Sequence, residues 1–417
     1  MEPTNEATSF QGAVPALPTD WKELTITPSQ RAAILSAIDL GVAPDDIEFI
    51  FVNRKGELQA IDSHLGEVAA GGGGVWFWIG RPGSGKSALQ AMTRVVAEEK
   101  NFVLVRADLT QDRRLSGADG ALDLYRQLIT SITFEGVESG QALQQIMTKC
   151  LAAVGDEDAI EGTPARLESA LGTNPLVGDM VRVLDAWATG DDDLRRDALS
   201  WLRADIRLRD AAKSLRVRSV VSERNYFGML KLLARVCRVA GFAGLLVSID
   251  ELSALTNLPQ EPTRRKNYEC LLDIINDTQQ RGAPGLAFFF SGTEACLDPK
   301  RGLYSLEALR TRLMPHEFSD DGYSDFDAPV IKLAPIATTE LYLLCRNVQR
   351  VFTACGPARV LIDESGIRTF VDNSLKRLNG ASAGVTRELL KNFAGLLRKL
   401  DRDPTPSSSD DRGGPHA

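Results

Sequence analysis

Residues Gly80-Arg81-Pro82-Gly83-Ser84-Gly85-Lys86-Ser87 spell a complete G-x-x-x-x-G-K-S loop. The apolar run Val75-Trp76-Phe77-Trp78-Ile79 precedes it, and a helix-forming series, Ala88-Leu89-Gln90-Ala91-Met92, follows. The motif needs this strand–loop–helix setting, and the setting constrains the fold more than any other stretch of the chain. The glycines let backbone N–H groups turn inward around a pyrophosphate, where a Cβ would crowd the ligand. The helix N-terminus adds partial positive charge. Lys86 is then expected to neutralise the β- and γ-phosphates of ATP, and Ser87 to offer a hydroxyl to Mg²⁺. All eight residues from Gly80 to Ser87 are candidates for nucleotide binding.

A second signal lies downstream. Leu245-Leu246-Val247-Ser248-Ile249-Asp250-Glu251 is an apolar strand that ends in two acids. Asp250 would hold Mg²⁺ through water, and Glu251 would polarise the water that attacks the γ-phosphate. An apolar run ending in Asp-Glu is common by chance. A complete phosphate loop upstream makes it specific, with the two strands expected as neighbours at the carboxyl edge of one sheet. Leu286–Gly292 reads as the next strand, and a hydroxyl at its tip would orient the attacking water; Thr293 is preferred over Ser291. Leu309-Arg310-Thr311-Arg312-Leu313 puts two arginines on a predicted helix. One of them, Arg312 in preference to Arg310, would reach a neighbouring subunit's γ-phosphate as an arginine finger. Arg387, near the start of the last helix, would contact the nucleotide. For each arginine the plain alternative is a solvated helix face.

Five short β-type runs occur: the phosphate-loop strand, Phe102–Ala107, Leu245–Ile249, Leu286–Gly292 and Val330–Leu333. They are continuous apolar runs separated by long helical stretches, the signature of a parallel sheet covered on both faces. The fold class is therefore α/β with a five-stranded parallel sheet. The stretch from about 120 to 242 is too long for a plain βαβ step of ~30 residues. It reads as a helical insertion, with one helix expected over Leu194–Leu208. Residues 28–335 then form a nucleotide-binding domain and 336–401 a small helical lid. Residues 1–27 and 402–417, rich in Pro, Ser, Thr and acid, read as loose tails.

Lys+Arg 48 against Asp+Glu 56 gives a net charge of −8, which excludes a globally basic coat for nucleic acid. Charge is nonetheless uneven. Residues 194–238 hold twelve Arg/Lys against Asp197, Asp205, Asp210 and Glu223. Such a concentration would meet a DNA phosphate backbone by counterion release, with Trp201 and Tyr226 stacking on bases; a helix face paired with acids elsewhere is the alternative. The six cysteines form no C-x-x-C pair and fit buried thiols in a reducing compartment. With no signal peptide and no apolar run near the ~20 residues of a membrane span, a cytoplasmic protein with no membrane contact is expected.

In this order the motifs resemble those of an AAA+ ATPase of the origin-recognition branch. Val52-Asn53-Arg54-Lys55-Gly56-Glu57-Leu58 resembles that branch's N-terminal box near the adenine. Thr311-Arg312-Leu313 resembles its finger box, Ile331-Lys332-Leu333-Ala334-Pro335 with Glu340-Leu341 its lead into the lid, and Arg387 falls at its second sensor. The chain is more closely similar to the BREX phage-defence ATP-binding protein D (BrxD) family, over about residues 29–400. Arg114-Leu115-Ser116-Gly117, Ala198-Leu199-Ser200-Trp201-Leu202-Arg203, Ala240-Gly241-Phe242-Ala243-Gly244 and Arg301-Gly302-Leu303 carry that similarity. The resemblance implies an AAA+ ATPase in a multi-gene bacterial defence system, with other defence proteins as partners, and it implies no known reaction on DNA. Origin-recognition relatives usually carry a winged-helix domain after the lid. Here a polar tail follows, so the resemblance does not extend to DNA binding by that route.

The leading expectation is an ATP-hydrolysing homo-oligomer that acts on DNA or a DNA-bound complex. A nucleotide-gated scaffold that binds proteins without touching DNA is the alternative. A phosphotransferase is a third reading, since phosphate loops also serve kinases.

Overall fold

The computed structural model of the 417-residue chain describes residues 25–137, 139–155, 163–280, 282–314, 325–356, 359–378 and 384–402. The two expected tails lie almost wholly outside these residues.

Five strands form one sheet: β1 (Gly74–Gly80), β2 (Phe102–Asp108), β3 (Gly244–Asp250), β4 (Leu286–Gly292) and β5 (Val330–Leu333). Their order is β2-β3-β4-β1-β5 and every pairing is parallel. Each matches its sequence expectation to within a residue at either end. All seven residues of β1 are buried. Val75, Phe77 and Ile79 enter one apolar cluster, while Trp76 and Trp78 enter the other. A strand buried on both sides must be apolar at successive positions, which is why β1 reads as a run and not as an alternation. Aromatic pairs lock its register against β4: Trp76 stacks on Phe289 at 5.1 Å and Phe77 on Phe290 at 5.3 Å between ring centroids.

One expectation fails here. The phosphate-loop strand β1 and the acidic strand β3 are not neighbours, because β4 lies between them. The helix Glu261–Gln279 carries the chain from β3 to β4, and β4 pairs with both strands. That helix is absent from the sequence reading, because its charged first turns dilute the apolar stripe of Tyr268, Leu271, Ile274 and Ile275.

The stretch expected as an insertion supplies seven helices among the described residues, from Ala118–Thr130 to Tyr226–Val239. Their cores merge with the first sheet face in a single cluster. The large aromatics satisfy their polar ends on carbonyls: Tyr125 Oη donates to Leu202 O (2.7 Å), Trp201 Nε1 to Ser219 O (2.8 Å) and Tyr226 Oη to Leu115 O (2.8 Å). The single helix expected over Leu194–Leu208 is two, Asp192–Leu202 and Leu208–Ser214. The break falls at Ala204, which is left-handed with φ 59°. The Asp205 amide donates back to Ser200 O at 2.8 Å, and Arg126 Nη2 donates to Ala204 O at 2.9 Å. These bonds close the first helix with a turn that periodicity does not announce.

The second face is covered by the helices Pro28–Leu40, Lys55–Ala69 and Lys86–Glu99, together with Thr338–Thr353, Glu364–Arg377 and Val385–Arg402. Thr27 and Gln30 form a capping box that starts the first of these. Arg398 grips Asp39 with both guanidinium nitrogens (3.0 and 2.5 Å), joining the first helix to the last. Among the described residues no helix is long and apolar enough to cross a membrane.

Candidate nucleotide site

The carboxyl ends of β1, β3 and β4 meet at a cavity of about 420 Å³ on the second face. The phosphate loop forms its floor. Gly83 and Gly85 have φ of 84° and 86°, a backbone that only glycine adopts without strain. Pro82, Gly83, Gly85, Lys86 and Ser87 line the cavity. Gly80 ends β1, and Ser84 is buried beneath the loop. Arg81 points outward, with its guanidinium 3.6 Å from Glu294. Lys86 begins the helix Lys86–Glu99, and its Nζ donates to the carbonyls of Gly80 (2.9 Å) and Arg81 (3.1 Å). Burial draws the Lys86 ammonium below its ordinary range, and the nearby charges of Asp250 and Glu251 oppose that shift.

The two acids Asp250 and Glu251 line the same cavity as the loop. Asp250 Oδ1 accepts from the Glu251 amide (2.7 Å) and from the Ser291 hydroxyl. Glu251 is left-handed, with φ 59°. The chain leaves β3 there and turns sharply into the short helix Ser253–Thr256. A non-glycine residue in this region is strained, and such residues concentrate at functional sites. The inserted strand β4 puts its tip between loop and acids. Ser291 is fully buried and serves Asp250, whereas Thr293 lines the cavity and shares a 2.9 Å hydrogen bond with Ser253 Oγ. Of the two hydroxyls, Thr293 is the one exposed to a ligand.

Away from the phosphate loop the wall is apolar. Ile38, Ile47, Ile50, Phe51, Val52 and Leu344 enclose a slot suited to a flat heteroaromatic ring. Arg387 also lines the cavity, with no hydrogen-bond partner among the described residues. Arg310 and Arg312 do not. Arg312 Nη1 donates to Ala308 O (2.9 Å), and Arg310 lies 3.8 Å from Glu307.

A match over residues 26–412 settles the kinship: it is to the family described as BREX system ATP-binding protein BrxC/D. The chain belongs to that family. ATP is therefore the ligand of this BREX protein, and phage defence its setting. No curated protein matches the chain significantly.

Two features at or beside the site go further than the motifs show. Asp108 closes β2 in register with Asp250, and burial, reinforced by the Asp250 charge, raises its pKa. Its signal was the one that found Asp250, an acid directly after an apolar strand, but without a second acid to flag it. Arg54 reaches the cavity from the N-terminal box; besides pairing with Glu57, it donates to the carbonyls of Ser84 and Ala334, which no sequence pattern encodes.

The basic stretch 194–238 needs one correction. Trp201 is 0% and Tyr226 5% exposed, so neither presents a ring to a base. Part of the charge is also internal: Lys231 pairs with Asp277 at 2.5 Å, and Arg235 and Arg238 donate to carbonyls. Arg207, Arg209, Lys213, Arg216, Arg218 and Arg224 remain exposed.

Proposed function

We propose that the chain is an AAA+ ATPase of the origin-recognition type, hydrolysing ATP to ADP and phosphate and coupling that step to DNA or a DNA-bound complex. The observation that carries this reading is Glu251, held in a strained backbone on the same cavity as Lys86, Ser87 and Thr293. Glu251 accepts a proton from water as its oxygen attacks the γ-phosphorus and the bond to the β,γ-bridging oxygen breaks. Thr293 orients that water. Lys86 and Arg387 neutralise phosphate oxygens, and Arg312 of a neighbouring copy reaches the same γ-phosphate, so that hydrolysis depends on assembly.

The donor set suits Mg²⁺. Ser87 and Asp250 both offer hard oxygens to the cavity, and Asp250 Oδ2 carries none of the hydrogen bonds made by Oδ1. When bound, the ion would neutralise charge on the β- and γ-phosphates. The helices between Thr338 and Arg402 act as the lid. The exposed cations of 207–224 would meet the phosphate backbone of DNA without stacking.

The test is the rate of phosphate release against protein concentration, with and without duplex DNA. A rate per protomer that rises with concentration supports a shared site; a flat one removes the finger. The burial of Trp201 and Tyr226 favours a second reading, a nucleotide-gated scaffold. No binding to duplex DNA at low salt would establish it over the first.

A further inference from the structure

We infer that Arg54 is a positioning residue that fixes the phosphate-binding peptide Ser84–Gly85 and ties it to the helices after residue 336. The inference rests on the nucleotide site proposed above.

Asn53 and Arg54 are consecutive left-handed residues, with φ of 56° and 65°, and neither is glycine. Such a pair persists only where its surroundings over-determine it. What the turn achieves is the placement of one guanidinium among three chain segments. Arg54 Nη2 donates to Ser84 O (2.8 Å) and Ala334 O (2.6 Å), and Nη1 donates to Glu57 Oε1 (2.9 Å). The Arg54 and Glu57 side chains are each 12% exposed. A planar fork can serve three acceptors in fixed directions; a flexible ammonium cannot.

The contact with Ser84 bears on ligand binding through peptide geometry. Ser84 lies between two left-handed glycines, Gly83 and Gly85, so steric preference does little to choose which way the intervening peptide faces. A trans peptide points its C=O and N–H in opposite directions. With Ser84 O held by Arg54, the Gly85 N–H must face away from the guanidinium. Gly85 lines the cavity, so that N–H is committed to the phosphate cradle.

The other contacts reach the lid. Ala334 directly follows β5, and Ile336, two residues on, lines the cavity. Asn53 Nδ2 donates to Glu340 Oε1, while Glu340 Oε2 accepts from the Ala337 amide at 2.7 Å at the start of helix Thr338–Thr353. The left-handed pair thus holds the loop with one side chain and the lid's first turn with the other. Nucleotide that orders the loop would order that turn as well.

Two variants test this. Arg54→Lys keeps a cation beside Glu57 and loses the fork. Asn53→Gly keeps the left-handed backbone and loses the amide. Affinity for fluorescent methylanthraniloyl-ATP is measured, together with amide exchange across residues 338–353 and the melting temperature without ligand. Arg54→Lys is expected to weaken binding about tenfold, roughly the loss of one charge-assisted hydrogen bond. Asn53→Gly is expected to bind within about threefold of the parent yet lose the nucleotide-dependent slowing of exchange in 338–353. A lower melting temperature with parental affinity and parental slowing in both variants would reduce Arg54 to a structural ion pair and overturn the inference. A parent chain that binds no nucleotide overturns the site itself, and the role of Arg54 with it.

Discussion

The two faces of the sheet are made by the same strands and end differently. Along β1, Val75, Phe77 and Ile79 pack into a face covered by helices, with buried aromatics closing their hydrogen bonds on carbonyls. Trp76 and Trp78, one residue out of step, belong to the face that opens into the nucleotide cavity. The first is a broad apolar cluster and the second carries the cavity. The contrast teaches that strand alternation separates stability from chemistry until the carboxyl edge, where Asp250, Ser291 and the phosphate loop bring the two together.

That separation can be attacked directly. The largest effect is expected from Arg312→Ala. Its helix, Glu307–Leu313, roots in the filled face through Leu309 and Leu313. Turnover should fall about 10³- to 10⁵-fold with ATP affinity kept. Mixing it with Lys86→Ala should restore part of the activity, and failure of that complementation would confine the finger to the filled face of its own chain. Next comes Glu251→Gln, expected to cost about 10²- to 10⁴-fold in turnover while ATP stays bound; parental turnover would refute the assigned base. Trp201→Ala should cost about 3–5 kcal/mol of stability in denaturant titrations. Folded Trp201→Ala should bind ATP normally, and a changed affinity would break the division between the faces. Smallest is the paired change Arg209→Ala with Lys213→Ala. It should lower the slope of log affinity against log salt for duplex DNA by about two and leave DNA-free ATPase untouched. An unchanged slope would take that surface off the DNA.

Most of the scaffold was legible because doubly buried strands and the phosphate loop leave strong local signals. The sequence could place Asp250, Glu251 and Thr293 on one cavity because they sit at strand tips, and Lys86 and Ser87 because the loop motif fixes them at a helix start. The order of the strands was not legible, since the crossovers of unlike length between successive parallel strands decide it; β4 was missed as the strand between β1 and β3. The turn at Ala204 and the contacts of Arg54 were hidden for another reason. Both depend on side chains donating to distant carbonyls, and a carbonyl is the same in every residue. The stacking role given to Trp201 and Tyr226 failed because an aromatic within a basic stretch looks the same in sequence whether it faces solvent or core.

The left-handed backbone at Glu251 has an evolutionary corollary. Glycine would sit there with less strain, by roughly 1 kcal/mol, so, with Glu251 as the proposed base, a laboratory screen that rewards only heat resistance should drift toward Glu251→Gly at the expense of turnover. Under the role proposed for Glu251, the acid at this position trades backbone ease for turnover.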